Sequence, residues 1–176
     1  MNKKKIIFFD GDGTLWYPKK TKHNKHPVWI YKDKRVKRHN HNMTLIPHVL
    51  STIRKLKKMG VMTVILSTNP SPSEIANTYL RNRVKHFKLE NLFDEVHATT
   101  VEHSSKGEFI LRILKERKIP KSKVLMVGDS YLWDFKQAKE RGIDALLIQS
   151  KYMHEHSAVK DIKKIINKLS DIFTHI

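Results

Sequence analysis

The run Ile6-Ile7-Phe8-Phe9-Asp10-Gly11-Asp12-Gly13-Thr14-Leu15-Trp16 takes a short apolar stretch straight into two carboxylates, with a glycine between them and another after. Glycines let backbone N–H groups approach an anion closely. A carboxylate pair in such a place can hold a divalent cation, or divide nucleophile and acid/base roles. An Asp-Gly dipeptide alone is a common turn; the full D-x-D-G-T-L pattern after an apolar run favours chemistry. A second run, Val64-Ile65-Leu66, ends in Ser67-Thr68-Asn69, whose hydroxyls can donate to a phosphoryl oxygen, although a Ser after a strand is ordinarily a turn residue. A third, Val124–Val127, leads into Gly128-Asp129-Ser130, with Asp134 five positions beyond Asp129. Asp134 has the alternative role of capping the next helix. Lys106 falls in the first turn of an expected helix, where the helix dipole disfavours a cation. A phosphate bound at that helix start would remove the conflict; a solvated surface charge is the plainer reading, and Lys85, Lys88 and Lys121 compete for the role.

These residues need a scaffold that brings the ends of separate strands together. Continuous apolar runs at Ile6–Phe9, Val61–Leu66, Val124–Val127 and Ala145–Ile148, with a weaker one at Glu95–Thr99, suit parallel strands buried on both faces. Helical patterns lie between them. Pro47 opens one with Val49, Leu50, Ile53 and Leu56 on a single face, closed by Gly60. Ser71-Pro72-Ser73-Glu74 and Ser105 with Glu108 have capping-box spacing. A further helix is expected from about Asp134 to Arg141, ending at Gly142, and a last one through Val159, Ile162, Ile165, Ile166 and Leu169. The alternation predicts an α/β fold, a doubly wound parallel sheet whose ligands bind at the strands' carboxyl ends.

One segment breaks the rhythm. Residues 17–43 hold nine Lys plus Arg, one Asp and four His, and so carry +8 of the chain's net +18. Val28–Tyr31 and Arg35–Arg38, separated by Lys32-Asp33-Lys34, suggest a hairpin in a basic flap beside the site. Trp29 and Tyr31 would either pack on a substrate or anchor the flap. At 176 residues, with 39% hydrophobic content, the chain reads as one domain with a sizeable core rather than a disordered polymer. The positive charge favours acidic partners, namely phosphorylated molecules, nucleic acid or anionic surfaces. Cysteine is absent, which excludes disulfides and thiolate chemistry. The eleven His show no finger or H-E-x-x-H spacing. No apolar run approaches the roughly 20 residues of a membrane span, and the start lacks a signal-peptide pattern; a cytoplasmic protein without membrane partners is expected.

Asp10-Gly11-Asp12-Gly13-Thr14 resembles the first motif of the haloacid dehalogenase superfamily, most of whose members are Mg²⁺-dependent phosphohydrolases. Ser67, Lys106 and the Gly128-Asp129-Ser130…Asp134 run are similar to its second, third and fourth motifs; at the third, Gly107 replaces the usual Pro. Leu15-Trp16, the basic flap and Leu45-Ile46-Pro47 look like the magnesium-dependent phosphatase-1 group. The resemblance covers about Lys5 to Ile148. It implies a Rossmann-like core over residues 1–176 with 17–43 as a flap and no large cap. It implies Asp10 as nucleophile forming an aspartyl-phosphate, and Asp12 as general acid/base. Mg²⁺ would be held by Asp10, the Asp12 backbone carbonyl and Asp129, with Asp134 and Ser130 supporting those ligands. Gly11, Ser67, Thr68 and Lys106 would bind the phosphate. The substrate would be a phosphorylated small molecule, such as a sugar phosphate, or a phosphotyrosine protein. The basic flap keeps a polynucleotide 3′-phosphatase as the alternative, and a non-catalytic nucleic-acid-binding module as the third reading, against which the intact carboxylates weigh.

Overall fold

The computed structural model describes residues 3–69, 73–100, 105–155 and 157–176. Its centre is a six-stranded parallel sheet built from β1 (Ile6–Phe9), β4 (Met62–Asn69), β5 (Glu95–Thr100), β6 (Val124–Gly128), β7 (Asp144–Ile148) and β8 (Ile165–Ile166). The strands lie in the order β5-β4-β1-β6-β7-β8. β1 pairs in parallel with β4 on one side and β6 on the other. Strand order therefore reverses at β1, and the crevice at such a reversal is where open α/β sheets bind ligands.

The continuous apolar runs are explained by burial on both faces. Ile7 and Phe9 join a core with Val49, Ile53 and Leu56 of α2 (Val49–Lys58) and Leu80 and Val84 of α3 (Ser73–His86). Ile6 and Phe8 face the opposite core, with Ile110, Ile113 and Leu114 of α4 (Lys106–Arg117). Ser105 caps α4 as its spacing predicts, its side chain accepting from the Glu108 N–H. The other expected capping box, at Ser71–Glu74, falls partly outside the described residues. Among the described residues no helix is long and apolar enough to cross a membrane.

Three expectations are corrected. The basic segment does contain a hairpin, but its strands are β2 (Trp16–Pro18) and β3 (Met43–Leu45), paired antiparallel with Trp16 opposite Leu45. Val28–Tyr31 supplies no strand; Trp29–Lys32 forms a single helical turn, α1, which buries Ile30. Asp33 then accepts from the Arg35 N–H at 3.0 Å, turning the chain locally where a second strand was expected. The helix expected from Asp134 begins earlier, as a π-helical turn over Tyr131–Lys136 followed by α5 (Gln137–Lys139). At the C-terminal end, the expected helix is replaced by β8 between two 3₁₀ segments. There Leu147 N–H donates to the Lys164 carbonyl at 3.0 Å and Gln149 N–H to Ile166 at 2.9 Å. Covering the free edge of β7 outweighs the helical spacing of the isoleucines, which are good strand residues anyway.

The lead into β1 is tied to β7 by Lys4, whose ammonium reaches Asp144 at 2.6 Å. That hydrogen bond is the main reason the Asp144 carboxyl is lowered to about 2, with Lys164 adding to it against the effect of burial. The lowered value means stability is gained above the ordinary carboxylate range and is lost as pH falls towards 2. Since Asp144 is 37% exposed, solvent screening limits the contribution to about 1 kcal/mol. Asp144→Asn is expected to cost about that much at pH 7 in urea titrations, and the gap to wild type should narrow steadily below pH 4; a gap that stays constant contradicts this coupling.

Candidate active site

Asp10 follows β1 directly and is fixed by its N–H donating to the Val127 carbonyl of β6 at 2.9 Å. Asp129 follows β6 itself. Asp134 comes from the π-helical turn, where Ser130 acts as cap by accepting from the Trp133 N–H at 3.2 Å. Asp134 is therefore not the N-cap itself. Its Oδ2 accepts from the Ser130 N–H at 3.0 Å and its Oδ1 from the Lys106 ammonium at 2.6 Å. The same ammonium donates to Asp10 Oδ1. Carboxylate oxygens of Asp10, Asp129 and Asp134 lie within 4.8 Å of one another, and all three residues are buried.

The electrostatics follow from that crowding. Burial opposes a charge on Lys106, but Asp10 and Asp134 outweigh it and hold the ammonium above its ordinary value. Asp129 is pushed well up, first by burial, then by the charges of Asp10 and Asp134; the Tyr152 hydroxyl, donating to its Oδ2, partly offsets this. Burial likewise raises Asp134. Three buried carboxylates thus share one ammonium. An all-oxygen donor set with surplus negative charge fits a hard divalent cation.

The loop after Asp10 is very tight. The Gly11 carbonyl accepts from the Leu15 N–H at 2.8 Å, and the Gly13 N–H donates to the Trp16 carbonyl at 2.7 Å. Gly13 has φ +80°, and a Cβ there would stand 1.9 Å from Asp129 Oδ2. A Cβ on Gly11 would approach the Trp16 ring at 2.6 Å and Ser67 Oγ at 3.1 Å, so the Ser67 hydroxyl at the end of β4 adjoins this loop. Gly107 also has a packing reason: a Cβ there would meet the Gln137 carbonyl at 2.6 Å, because the start of α4 lies against that segment.

Asp12 faces the other way. Its Oδ1 accepts from Trp16 Nε1 at 2.5 Å and Arg83 Nη1 at 3.3 Å, and its Oδ2 from the Tyr31 hydroxyl at 2.6 Å. Burial raises its pKa, with Arg83 the largest opposing influence. The flap is pinned around this point. Trp29 Nε1 donates to Thr21 at 3.0 Å, and His23 Nε2 donates to the Gly13 carbonyl at 2.8 Å. Of the two flap aromatics, Trp29 is held within the flap and Tyr31 touches the site.

Asp10, Gly11, Lys106, Asp129 and Asp134 therefore converge, with Ser67 beside them. Thr68 is turned aside, its hydroxyl 3.0 Å from that of Thr99 on β5. Ser130 contributes backbone and cap rather than a free hydroxyl. Sequence reasoning missed Arg83 and Tyr152. Arg83 lies within α3 and in none of the motifs, so no local signal marked it. Tyr152 follows β7, and only that position just past a strand's carboxyl end hinted at a role.

A fold of this kind, with acidic loops after the first and fourth strands of a reversing parallel sheet, defines a hydrolase class. The chain belongs to the haloacid dehalogenase-like hydrolase family, whose pattern it matches over residues 4–148. Its fold is shared with a haloacid dehalogenase-like family hydrolase from Streptococcus pneumoniae, at 18% identity and TM-score 0.74 over 99% of both chains. It is also shared with a predicted phosphoglycolate phosphatase from Haemophilus somnus, at 16% identity and TM-score 0.71 over 99% of both chains. A predicted phosphatase from Clostridium acetobutylicum is similar at 14% identity and TM-score 0.72, over 98% of each chain. No curated protein matches the sequence.

Gly13→Ala is expected to cost at least about 2 kcal/mol, combining left-handed strain with the collision at Asp129. Gly60→Ala is the control, since it has φ +71° and no neighbour within 4 Å of the added Cβ. It should cost only about 1 kcal/mol. Equal losses for the two in urea denaturation would show that Asp129 yields freely to the Gly13 loop.

Proposed function

We propose that this protein is a Mg²⁺-dependent phosphomonoester hydrolase working through an aspartyl-phosphate, with affinity to the magnesium-dependent phosphatase-1 group. The observation that carries the reading is the buried cluster at the reversal of the sheet, where Lys106 bridges Asp10 and Asp134 beside Asp129. Asp10, Asp129 and the Asp12 backbone carbonyl would hold Mg²⁺, with Asp134 as a support. Bound there, the ion supplies positive charge that screens an anionic nucleophile from an anionic phosphate.

The chain's own groups then divide the work. Asp10 attacks phosphorus, and the P–O bond to the leaving group breaks with its electron pair passing to the leaving oxygen. Asp12, whose carboxyl is raised by burial, gives that oxygen a proton. In the second half, Asp12 takes a proton from water as the water oxygen bonds to phosphorus and the bond to Asp10 breaks. Lys106, Ser67 and the Gly11 loop stabilise charge on the transferring oxygens. Asp10→Asn, which keeps the volume but removes the nucleophile, should abolish p-nitrophenyl phosphate hydrolysis with the fold intact. EDTA should abolish it in wild type and Mg²⁺ should restore it. Retained activity in Asp10→Asn would refute the covalent route.

The substrate is a phosphorylated small molecule or a phosphoprotein, in a cytoplasmic setting. A second reading, polynucleotide 3′-phosphatase, is favoured by one observation: Lys19, Lys20, Lys25, Lys32, Lys34 and Arg38 of the flap are at the surface and face solvent. The two separate by salt. For a 3′-phosphorylated oligonucleotide, KM should rise steeply between 50 and 200 mM salt, because several phosphates are neutralised together. A sugar phosphate should show only a shallow rise, and a shallow slope for both excludes the polynucleotide reading.

A further inference from the structure

Arg83 is the least expected member of the site. It stands on α3, 71 residues beyond Asp12, yet its guanidinium is buried and ion-paired with Asp12 Oδ1 at 3.3 Å. Its Nε donates to Asn40 Oδ1 of the flap at 2.5 Å, which fixes the plane of the fork. The same group lies 5.7 Å from the centre of the Trp16 ring and 5.8 Å from that of Tyr31. Trp16 adds its own N–H to Oδ1 at 2.5 Å, from a fully buried side chain. Oδ1 therefore accepts from two buried donors. Among the described residues Oδ2 has one hydrogen-bond partner, the hydroxyl of Tyr31, whose side chain is half-buried where that of Arg83 is buried.

We propose that Arg83 is a positioning residue for proton transfer: with Trp16 it immobilises Oδ1 of Asp12, and so makes Oδ2 the oxygen that exchanges a proton with the leaving group. This rests on the phosphomonoesterase reading above. In the forward step the proton on Oδ2 passes to the leaving oxygen as the P–O bond breaks, leaving Asp12 ionised. In the hydrolytic step a proton of the attacking water returns to Oδ2, and the Asp10 carboxylate is regenerated. The Tyr31 hydroxyl already occupies hydrogen-bonding space at Oδ2 with a phenolic oxygen. A substrate's leaving oxygen has to take that place, and Tyr31 yields to it while Arg83 stays.

The test uses leaving groups that differ in their need for a proton. Nitrophenolate departs readily without one, whereas the alkoxide of glycerol phosphate does not. Arg83→Gln should lower kcat/KM, which reports only the steps through formation of the phosphoryl-enzyme, by about 10²-fold for glycerol phosphate and by less than about 10-fold for p-nitrophenyl phosphate. The ratio of the two rates within one preparation is independent of how much of the variant is folded, so a stability defect does not imitate the effect. Arg83→Lys, which keeps a cation near Oδ1 but not the fork, should give an intermediate ratio. In an Asp12→Asn background, Arg83→Gln should leave the ratio where Asp12→Asn alone puts it. Equal losses of kcat/KM on both esters in Arg83→Gln overturn the proposal. If Asp12→Asn discriminates between the esters and Arg83→Gln does not, the positioning role alone fails. Should wild type with Mg²⁺ hydrolyse neither ester, the phosphomonoesterase reading fails and this inference with it.

Discussion

The Lys106 ammonium between Asp10 and Asp134 is the contact on which the rest of this structure depends. A buried charge is costly unless it is paired and hydrogen-bonded, and here three carboxylates and one ammonium are packed at the mouth of a parallel sheet. Bringing Lys106 to that point requires the first turn of α4 to press against the segment after β6. Gly107 permits the approach, and Gln137 seals it by accepting from the Lys106 N–H through Oε1 at 2.9 Å. The departure from the family's usual Pro is thus tied to a close helix contact.

The two carboxylates of the first loop are two positions apart and live in different surroundings. Asp10 points to the cluster and its ammonium. Asp12 points to the flap, where Trp16, Arg83 and Tyr31 surround it and 27% of its side chain is still exposed. Two like groups pushed into unlike environments is a general means of separating nucleophile from acid/base. The separation is built by the tight Gly11–Trp16 loop, which turns Trp16 back onto Asp12 and starts the flap hairpin at the same residue. Flap and Asp12 are consequently one mechanical unit.

The sequence alone determined the parallel sheet, because strands buried on both faces must be apolar throughout, and the runs at Ile6–Phe9 and Val124–Val127 could satisfy little else. It also marked the loops carrying Asp10, Asp12, Ser67 and Asp129, since carboxylates and glycines directly after such strands are poor choices for packing alone. The helix start at Ser105 was legible for the same local reason, its cap lying within a few residues; Pro47 stands ahead of α2, which opens after His48 with no side-chain cap.

Only the tertiary structure decided the rest. The isoleucines near the C-terminal end have helical spacing, yet Ile165 and Ile166 become a strand because the edge of β7 offers backbone partners that an isolated segment cannot foresee. Val28–Tyr31 has strand composition, yet it coils into a turn because Ile30 finds a core to enter. Thr68 was expected to contribute beside Ser67, but its hydroxyl meets that of Thr99 on β5, an outcome set by the register across the two strands. Arg83 belongs to no motif, and its meeting with Asp12 exists only because α3 and the flap close on one another across 71 residues of chain. Periodicity and capping are short-range and can be read in order. Charge pairing and edge completion act between residues that are neighbours in space alone, so they are fixed when the chain is folded and not before.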